Sequence, residues 1–515
     1  HQNHQNQQNH QATFLLKGIT GSGKTEVYLE VIKNVLKNKK RVLFLVPEIT
    51  LIGPMAQQLK SKFDDIAIYH SALSKGERYD QYQHILKKTS NIILGTRSAV
   101  FLPIEDLGLI IVDEEHDKSY IQQEGVIYDA RDVAKKRSAY HRIPLILGSA
   151  TPSIETMYAS EMKQIQRLEL TKRPLEVAMP TITYVDMKNE LMQKNTSIFS
   201  RTLLEKMRDR LAKKEQIMLL FNRKGYAPFV LCRQCGDVPT CPHCSISLTF
   251  YKDQNKLRCH YCGHEEVFSK TCSSCQNETV KEVGVGIEYV EQSLKRNLPE
   301  AKVLRMDANA TRTKQSHEII WNDFRNEEAD ILLGTQMIAK GLDFPKVTLV
   351  GVLMADLSLR VPSYRASEET FMLLTQVTGR SGRMQPGEAV IQGYDLDHYA
   401  IQGVQKGYDV FYEEALQYRK LAKYAPFYQV SQVLFEGTGY LKTYQVAFNL
   451  RKALTISGVE VLGPTPALIR KIKDHHRFTI TLKYQQLDTK MLFDAMKSLE
   501  NENIKIKYLP NFDTM

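Results

Sequence analysis

Phe14-Leu-Leu-Lys-Gly18-Ile-Thr-Gly-Ser-Gly23-Lys24-Thr25-Glu-Val-Tyr-Leu-Glu-Val-Ile32 passes from a short apolar segment through a glycine loop into a helical pattern. Gly18 to Thr25 fits G-x4-G-K-[ST]. Placed after a strand and at the start of a helix, such a loop turns its backbone N–H groups toward phosphates. Lys24 is then expected to meet the β- and γ-phosphates of ATP and Thr25 to ligate Mg²⁺. Gly18, Thr20, Gly21, Ser22, Gly23 and Glu26 complete the expected nucleotide contacts. Val27, Leu29, Val31, Ile32, Val35 and Leu36 give the following segment a helical apolar face over residues 25–38.

Outward from this loop, apolar strands alternate with helical segments: Arg41–Val46, Ile92–Leu94, Leu109–Val112 and Pro144–Leu147. Continuous apolar strands of this kind imply a parallel sheet covered on both faces. They define one α/β domain over residues 12–190. A second set begins at Gln216–Phe221 and resumes with Lys302–Arg305, Asp330–Leu333, Val347–Leu353 and Ala389–Tyr394, giving a second α/β domain over 191–400. Residues 401–515 change character, helical at 408–425 and then strand-like at Val459–Leu462 and Phe478–Leu482, which predicts a separate C-terminal α+β domain. The expected fold class is α/β: two RecA-like P-loop lobes, an insertion in the second, and the α+β domain. His1–Gln11 has no apolar pattern and reads as a disordered tract or an artificial boundary, with the natural protein extending further N-terminally.

Ile110-Ile-Val-Asp113-Glu114-Glu115-His116 is an apolar strand that ends in acids. Asp113 is placed to hold Mg²⁺ through its water shell, and Glu114 to orient and deprotonate an attacking water. Acids at strand ends are common; pairing with the loop at Lys24 makes them significant, because sheet topology brings both strand ends to one edge. Gln376-Val-Thr-Gly379-Arg380-Ser-Gly382-Arg383 places two guanidiniums three residues apart, able to reach one polyphosphate. In isolation they would read as solvated surface cations. Beside a second RecA-like lobe that must close a nucleotide site, Arg380 and Arg383 become catalytic candidates, one of them an arginine finger.

All eight cysteines lie between Cys232 and Cys275, as four C-x2-C pairs. That spacing lets both sulfurs of a pair reach one tetrahedral ion, and eight thiolates make two zinc sites. Only residues 236–240 separate the first two pairs, whereas residues 245–258 suit a hairpin that closes the inner ones. The expected grouping is nested: Cys232, Cys235, Cys272 and Cys275 on one Zn²⁺, and Cys241, Cys244, Cys259 and Cys262 on the other. His243, His260 and His264 are then bystanders. All-cysteine tetrahedra leave no open position for water, so both sites are structural. The insertion, over residues 230–280, interrupts the second α/β domain near its first strand.

A balance of 69 Lys+Arg against 58 Asp+Glu gives +11, a mild preference for a polyanion. No apolar run approaches the ~20 residues of a membrane span, and no signal peptide is visible. A reducing cytoplasm is the expected setting, where thiols serve as metal ligands rather than disulfides.

The chain resembles the superfamily 2 helicases, and among them the PriA family, the bacterial primosomal replication-restart helicases (primosomal protein N′). The resemblance rests on GITGSGKTEVY (18–28), LVPEI (45–49), GTRSAVF (95–101), DEEH (113–116), GSATPS (148–153), FNRKGYAP (221–228), GTQMIAKGLDFPKVTLV (334–350) and TQVTGRSGR (375–383), in that order, and on the cysteine insertion. It implies an ATP-dependent 3′→5′ DNA helicase with DNA-stimulated ATP hydrolysis. Such an enzyme unwinds DNA at stalled or recombination-derived forks and initiates primosome assembly. It implies single-stranded and forked DNA, primosome proteins and single-stranded-DNA-binding protein as partners, and no membrane. It assigns Gln376 to the nucleotide. The family's N-terminal DNA-binding domains, a 3′-end-binding module and a winged helix, are not in this sequence, and the Gln/Asn/His tract stands where the family helps recognise adenine.

By the same resemblance Ser149-Ala-Thr151 links hydrolysis to lobe movement, with Gly334-Thr335-Gln336 and Lys340-Gly341-Leu-Asp343 as second-lobe counterparts. Thr96, Arg97, Thr335 and Lys340 are candidates for DNA backbone contacts, which position without reading sequence. Tyr120 and Tyr128 flank Gly125 where the family holds an aromatic-rich loop that senses single strands; exposed tyrosines there could stack on bases. On that reading, Tyr120→Ala with Tyr128→Ala lowers DNA stimulation of the ATPase more than the basal rate. The competing readings are a binding scaffold whose ATP site is incidental and a double-strand translocase that separates no strands.

Overall fold

The computed structural model describes residues 13–122, 125–173, 179–222, 230–232, 234–243, 246–251, 254–259, 261–282, 286–307, 314–339, 344–382, 386–455, 459–499 and 503–510. Two compact units divide near residue 177.

The first unit is built on a seven-stranded sheet in the order Ile66–Tyr69, Ile92–Gly95, Arg41–Leu45, Leu107–Asp113, Leu145–Ser149, Thr13–Gly18, Gln166–Leu170. All six pairings are parallel. Successive side chains of a strand face opposite sides. Leu43, Leu45, Ile110, Val112, Leu145 and Leu147 therefore enter one buried cluster. Val42, Phe44, Leu109, Ile111 and Ile146 enter the other. Burying each such side chain contributes ~1.5–3 kcal/mol, which explains the apolar runs inside the central strands, where Arg41, Asp113 and Ser149 stand only at strand ends. The helices Lys24–Lys37 and Ile52–Lys60 cover one face, and Ala130–His141 the other. The strand carrying the glycine loop lies beside Leu145–Ser149, which lies beside Leu107–Asp113. Gly18, Ser149 and Asp113 consequently end at one sheet edge.

The second unit has a six-stranded parallel sheet in the order Thr181–Asp186, Glu388–Gly393, Val347–Val352, Gln216–Leu220, Ile331–Gly334, Val303–Met306. Thr181–Asp186 corrects the expected boundary at 190: it pairs along its whole length with Glu388–Gly393. Helices Arg201–Ala212 and Ile287–Asn297 fill the core under this sheet. The cysteine insertion leaves the lobe through Val230–Cys232 and returns through Val280–Glu282, which pair antiparallel. Its hairpins form a three-stranded sheet of Thr249–Tyr251, Lys256–Arg258 and Glu265–Val267.

Helices Tyr399–Lys406 and Tyr408–Leu421 belong with the second lobe, not with the C-terminal body as expected from residue 401. Phe371 and Phe411 stack with ring centres 4.0 Å apart, and Tyr184 donates to the Ile401 carbonyl at 3.0 Å. The compact α+β body starts at Gln429, with antiparallel strands ordered Glu460–Ile472, His475–Tyr484, Gln429–Gly437, Ile504–Leu509 and helices Tyr440–Thr455 and Thr489–Leu499 against them. Its basic hairpin is partly consumed internally: Arg477 pairs with Glu436 at 3.0 Å, and the Arg470 guanidinium lies 3.6 Å from the ring centre of Tyr251 in the cysteine module.

Candidate functional site

The glycine loop closes onto the helix at Lys24. Gly23 takes φ +87° as the residue preceding that helix, a conformation that favours glycine. Lys24 Nζ donates to the Gly18 carbonyl at 3.0 Å, folded across the loop. The Ser22 hydroxyl is buried without a hydrogen-bond partner among the described residues. An orphaned hydroxyl, a lysine and a helix N-terminus at one concavity suit a phosphate group. Arg173, after the strand Gln166–Leu170, donates through Nε to the Thr20 carbonyl at 3.0 Å, so a second cation lies against the loop. Glu26, expected at the nucleotide, instead faces outward and pairs with Lys62 at 2.8 Å.

The acidic strand end supplies the other half. Asp113 is pushed up to about 6, first by burial and then by the charge of Glu114; Lys24 and a hydrogen bond from Tyr28 act in the opposite direction. A carboxylate held at such cost suits a site that a divalent cation completes, with Thr25 opening the neighbouring helix. Glu114 turns the chain out of the strand at φ +46°, a conformation costly for a non-glycine residue. Its Oε2 is buried, has no hydrogen-bond partner among the described residues, and lies 3.6 Å from His116 Nδ1.

Glu115 and His116 have structural jobs that sequence left unassigned. Fully buried Glu115 accepts from Ser153 N at 2.7 Å and from the Thr156 hydroxyl at 3.0 Å, tying the strand end to the helix Ile154–Glu161. His116 Nδ1 lies 2.7 Å from Ser149 Oγ, which also accepts from Thr151 N at 3.0 Å. The acidic segment and Ser149-Ala-Thr151 are thus directly bonded.

The tyrosine expectation needs correction. Tyr120 is completely buried, with its hydroxyl 2.6 Å from the Asp113 carbonyl and 3.0 Å from that of Leu45. No ring face is open to a base; the residue props the acidic strand end from below. An aromatic next to a glycine loop reads the same in sequence whether it points out or in. Tyr128 is half-buried, edge-on to Phe101 at 4.7 Å, and Phe101 is the exposed member of that pair. Arg97 Nη1 donates to the Ser119 and Ile121 carbonyls at 3.0 and 2.8 Å, so it holds this segment rather than presenting an open cation. Thr96 is mostly buried at the end of the strand Ile92–Gly95. Tyr120→Phe is therefore expected to destabilise the first unit by ~1–3 kcal/mol, the cost of an unsatisfied buried carbonyl. It should lower basal and DNA-stimulated ATPase in equal proportion. A selective loss of stimulation in Tyr120→Ala, with the basal rate kept, would restore the base-stacking role.

In the second unit Arg380 Nε and Nη2 both donate to the Ala339 carbonyl, at 3.0 and 2.7 Å. This ties the end of the helix Ala366–Thr378, which carries Gln376, to the turn Gln336–Ala339 after Thr335. Thr335 itself is partly buried. Arg383 and Lys340 lie outside the described residues.

Cys232, Cys235, Cys272 and Cys275 bring four sulfurs within 4.8 Å of one another, and Cys241, Cys259 and Cys262 do the same. Cys244 lies outside the described residues. Closest sulfur separations are 3.5 to 3.6 Å, near the ~3.8 Å edge of a tetrahedron with Zn–S bonds of ~2.3 Å. The outer four match the nested grouping. After three pairs the chain turns through left-handed residues, Gly236, Gly263 and Gln276, and the N–H of each donates back to the first cysteine's carbonyl. A hydrogen bond from Asn277 lowers the Cys275 thiol to about 6, favouring the thiolate. His264 is engaged with Glu266 at 2.8 Å, as suits a bystander. Among the described residues no helix is long and apolar enough to cross a membrane.

Comparison with known proteins agrees with this layout. A DEAD/DEAH box helicase model matches residues 4–159 and a helicase conserved C-terminal domain residues 264–385. The PriA DNA helicase Cys-rich region matches 241–266, and the primosomal protein N C-terminal domain 420–509. Replication restart protein PriA of Bacillus subtilis is 44% identical over 500 residues, covering 96% of this chain and 62% of the relative. The Synechocystis protein of the same name is 42% identical, covering 91% and 58%. That of Rickettsia felis is 38% identical, covering 91% and 73%. The chain thus spans about three fifths of the length of the first two relatives. With identity at this level running through both helicase lobes, the cysteine module and the C-terminal body, the chain belongs to the PriA family of replication restart proteins.

Proposed function

We propose that this chain is an ATP-driven motor that moves 3′→5′ along single-stranded DNA, separates strands at stalled or recombination-derived forks and initiates primosome assembly there. The observation that supports the motor reading is the meeting of Lys24, Asp113 and Glu114 at one edge of a parallel sheet, with Ser149 bonded to His116. Lys24 and the loop N–H groups hold the phosphates. Thr25 and Asp113 hold Mg²⁺, which neutralises charge on the transferring phosphoryl group. Glu114 orients the attacking water and accepts its proton, and Arg380 and Arg383 offset charge in the transition state. Movement at the phosphates reaches Ser149 through His116. Thr335, Lys340 and the Phe101–Tyr128 pair are the DNA-contacting candidates. Polarity, forks, primosome proteins, single-stranded-DNA-binding protein and a cytoplasmic setting rest on family membership.

ATPase rates with no DNA, single strands and forks, with Lys24→Ala as control, test this reading. Stimulation by single strands that vanishes in the control is expected. Its absence would leave a binding scaffold. Unwinding of a forked duplex with a 3′ single-stranded arm separates the helicase from a double-strand translocase.

A further inference from the structure

We infer that Tyr28 is a positioning residue for the metal-holding carboxylate, fixing which oxygen of Asp113 is left to the cation. Tyr28 sits just over one turn into the helix that opens at Lys24 and is 1% exposed. Its hydroxyl donates to Asp113 Oδ1 at 2.8 Å. The ring stands edge-on to Phe44 with centres 5.5 Å apart. Room for the hydroxyl exists only because residue 148 is glycine: a Cβ there would lie 1.7 Å from the phenol oxygen. The helix carrying Lys24, the strand ending in Asp113 and the strand entering Ser149-Ala-Thr151 therefore meet at one oxygen atom.

A carboxylate at a strand end can rotate about its Cβ–Cγ bond, and either oxygen can face a cation's water shell. The phenol restricts that freedom by taking Oδ1 from the helix side, and the Glu114 N–H also donates to the carboxylate. Nothing in G-x4-G-K-[ST] calls for a tyrosine three residues past the motif, so this role is invisible without the structure.

The inference rests on the reading of Asp113 as the Mg²⁺-holding group. It is tested with Mn²⁺ as the probe, counted by electron paramagnetic resonance on the full chain with ADP. Tyr28→Phe deletes one oxygen and keeps the ring. Mn²⁺ affinity in the ADP complex is expected to fall about tenfold, the equivalent of one hydrogen bond to a charged group. ADP affinity in EDTA should stay near wild type, while the melting temperature should fall modestly because the buried Asp113 oxygen loses its donor. Phe44→Leu loosens the ring contact but keeps the hydroxyl and should leave Mn²⁺ affinity unchanged. Unchanged Mn²⁺ affinity in Tyr28→Phe, or an equal loss in Phe44→Leu, overturns the positioning role. Wild-type protein that binds ADP but no Mn²⁺ overturns the reading of Asp113, and this inference with it.

Discussion

Glu114→Gln is expected to lower DNA-stimulated ATP hydrolysis by ~10²–10⁴-fold, the range typical for loss of a general base. The exchange keeps the size of the side chain and removes its ability to accept a proton. Glu114 is suited to this test because the fold spends little of it elsewhere. Its Oε2 is buried without a hydrogen-bond partner among the described residues, and the nearest cation-forming group is His116 at 3.6 Å. The neighbouring Glu115, by contrast, is consumed by Ser153 and Thr156. Glu115→Gln should chiefly cost stability, because the carboxylate serves the start of the helix Ile154–Glu161. The two variants thus separate chemistry from scaffolding within one four-residue segment. Nucleotide binding by Glu114→Gln, measured with a fluorescent ADP analogue, should stay near wild type, since only transition-state stabilisation is removed. Near-wild-type turnover in Glu114→Gln would take this residue out of the chemistry.

Much of the candidate nucleotide site was legible in the sequence because its elements are local. A glycine loop, a lysine and the following helix are contiguous, and the strand ending at Asp113 announces itself by a continuous apolar run. What was not legible depends on which way a side chain faces. Tyr120 and Tyr128 flank the same glycine, yet one is a buried prop and the other lies against exposed Phe101. Glu26 is adjacent to Thr25 but lies on the outer face of the helix, within reach of Lys62. The strand Thr181–Asp186 has the alternation of a half-buried strand, and only pairing across residues 388–393 assigns it to the second sheet. The basic run at 470–477 reads in sequence equally as a DNA contact or a solvated face; in the structure Arg470 lies over Tyr251 and Arg477 pairs with Glu436. Long-range pairing and facing are set by tertiary packing, which periodicity does not encode.

That same packing determines how far zinc removal should reach. Structural zinc contributes folding free energy directly, with apparent values of ~10–16 kcal/mol per ion in small zinc modules, and the short strands of residues 230–282 have few other means of holding together. Chelation is therefore expected to release two Zn²⁺ per chain and to unfold this module. It should also loosen second-lobe segments around 364–368 and 419–428 and the strand Glu460–Ile472 of the C-terminal body, none of which contains a cysteine. Tyr261, between Cys259 and Cys262, is fully buried and accepts from the Tyr364 N–H at 3.4 Å. Tyr364 stacks on Tyr424 at 4.5 Å, and Arg419 lies 4.7 Å over Tyr364 while pairing with Glu368 at 2.7 Å. Both members of that ion pair are 5% exposed, so losing the tyrosine packing opens a buried charge pair to water. Arg470 over Tyr251 gives a second connection, to the strand Glu460–Ile472. The first unit contributes no ligand. Hydrogen exchange after chelation should therefore rise across 230–282, around 364–368, near 419–428 and along 460–472. The sheet that ends at Gly18 and Asp113 should keep its protection. Tyr261→Ala, with zinc retained, should raise exchange only around 364–368 and 419–428. If chelation unfolds the cysteine module and leaves 364–368 and 419–428 as protected as before, the tyrosine contacts carry no coupling and the module is independent of these second-lobe segments.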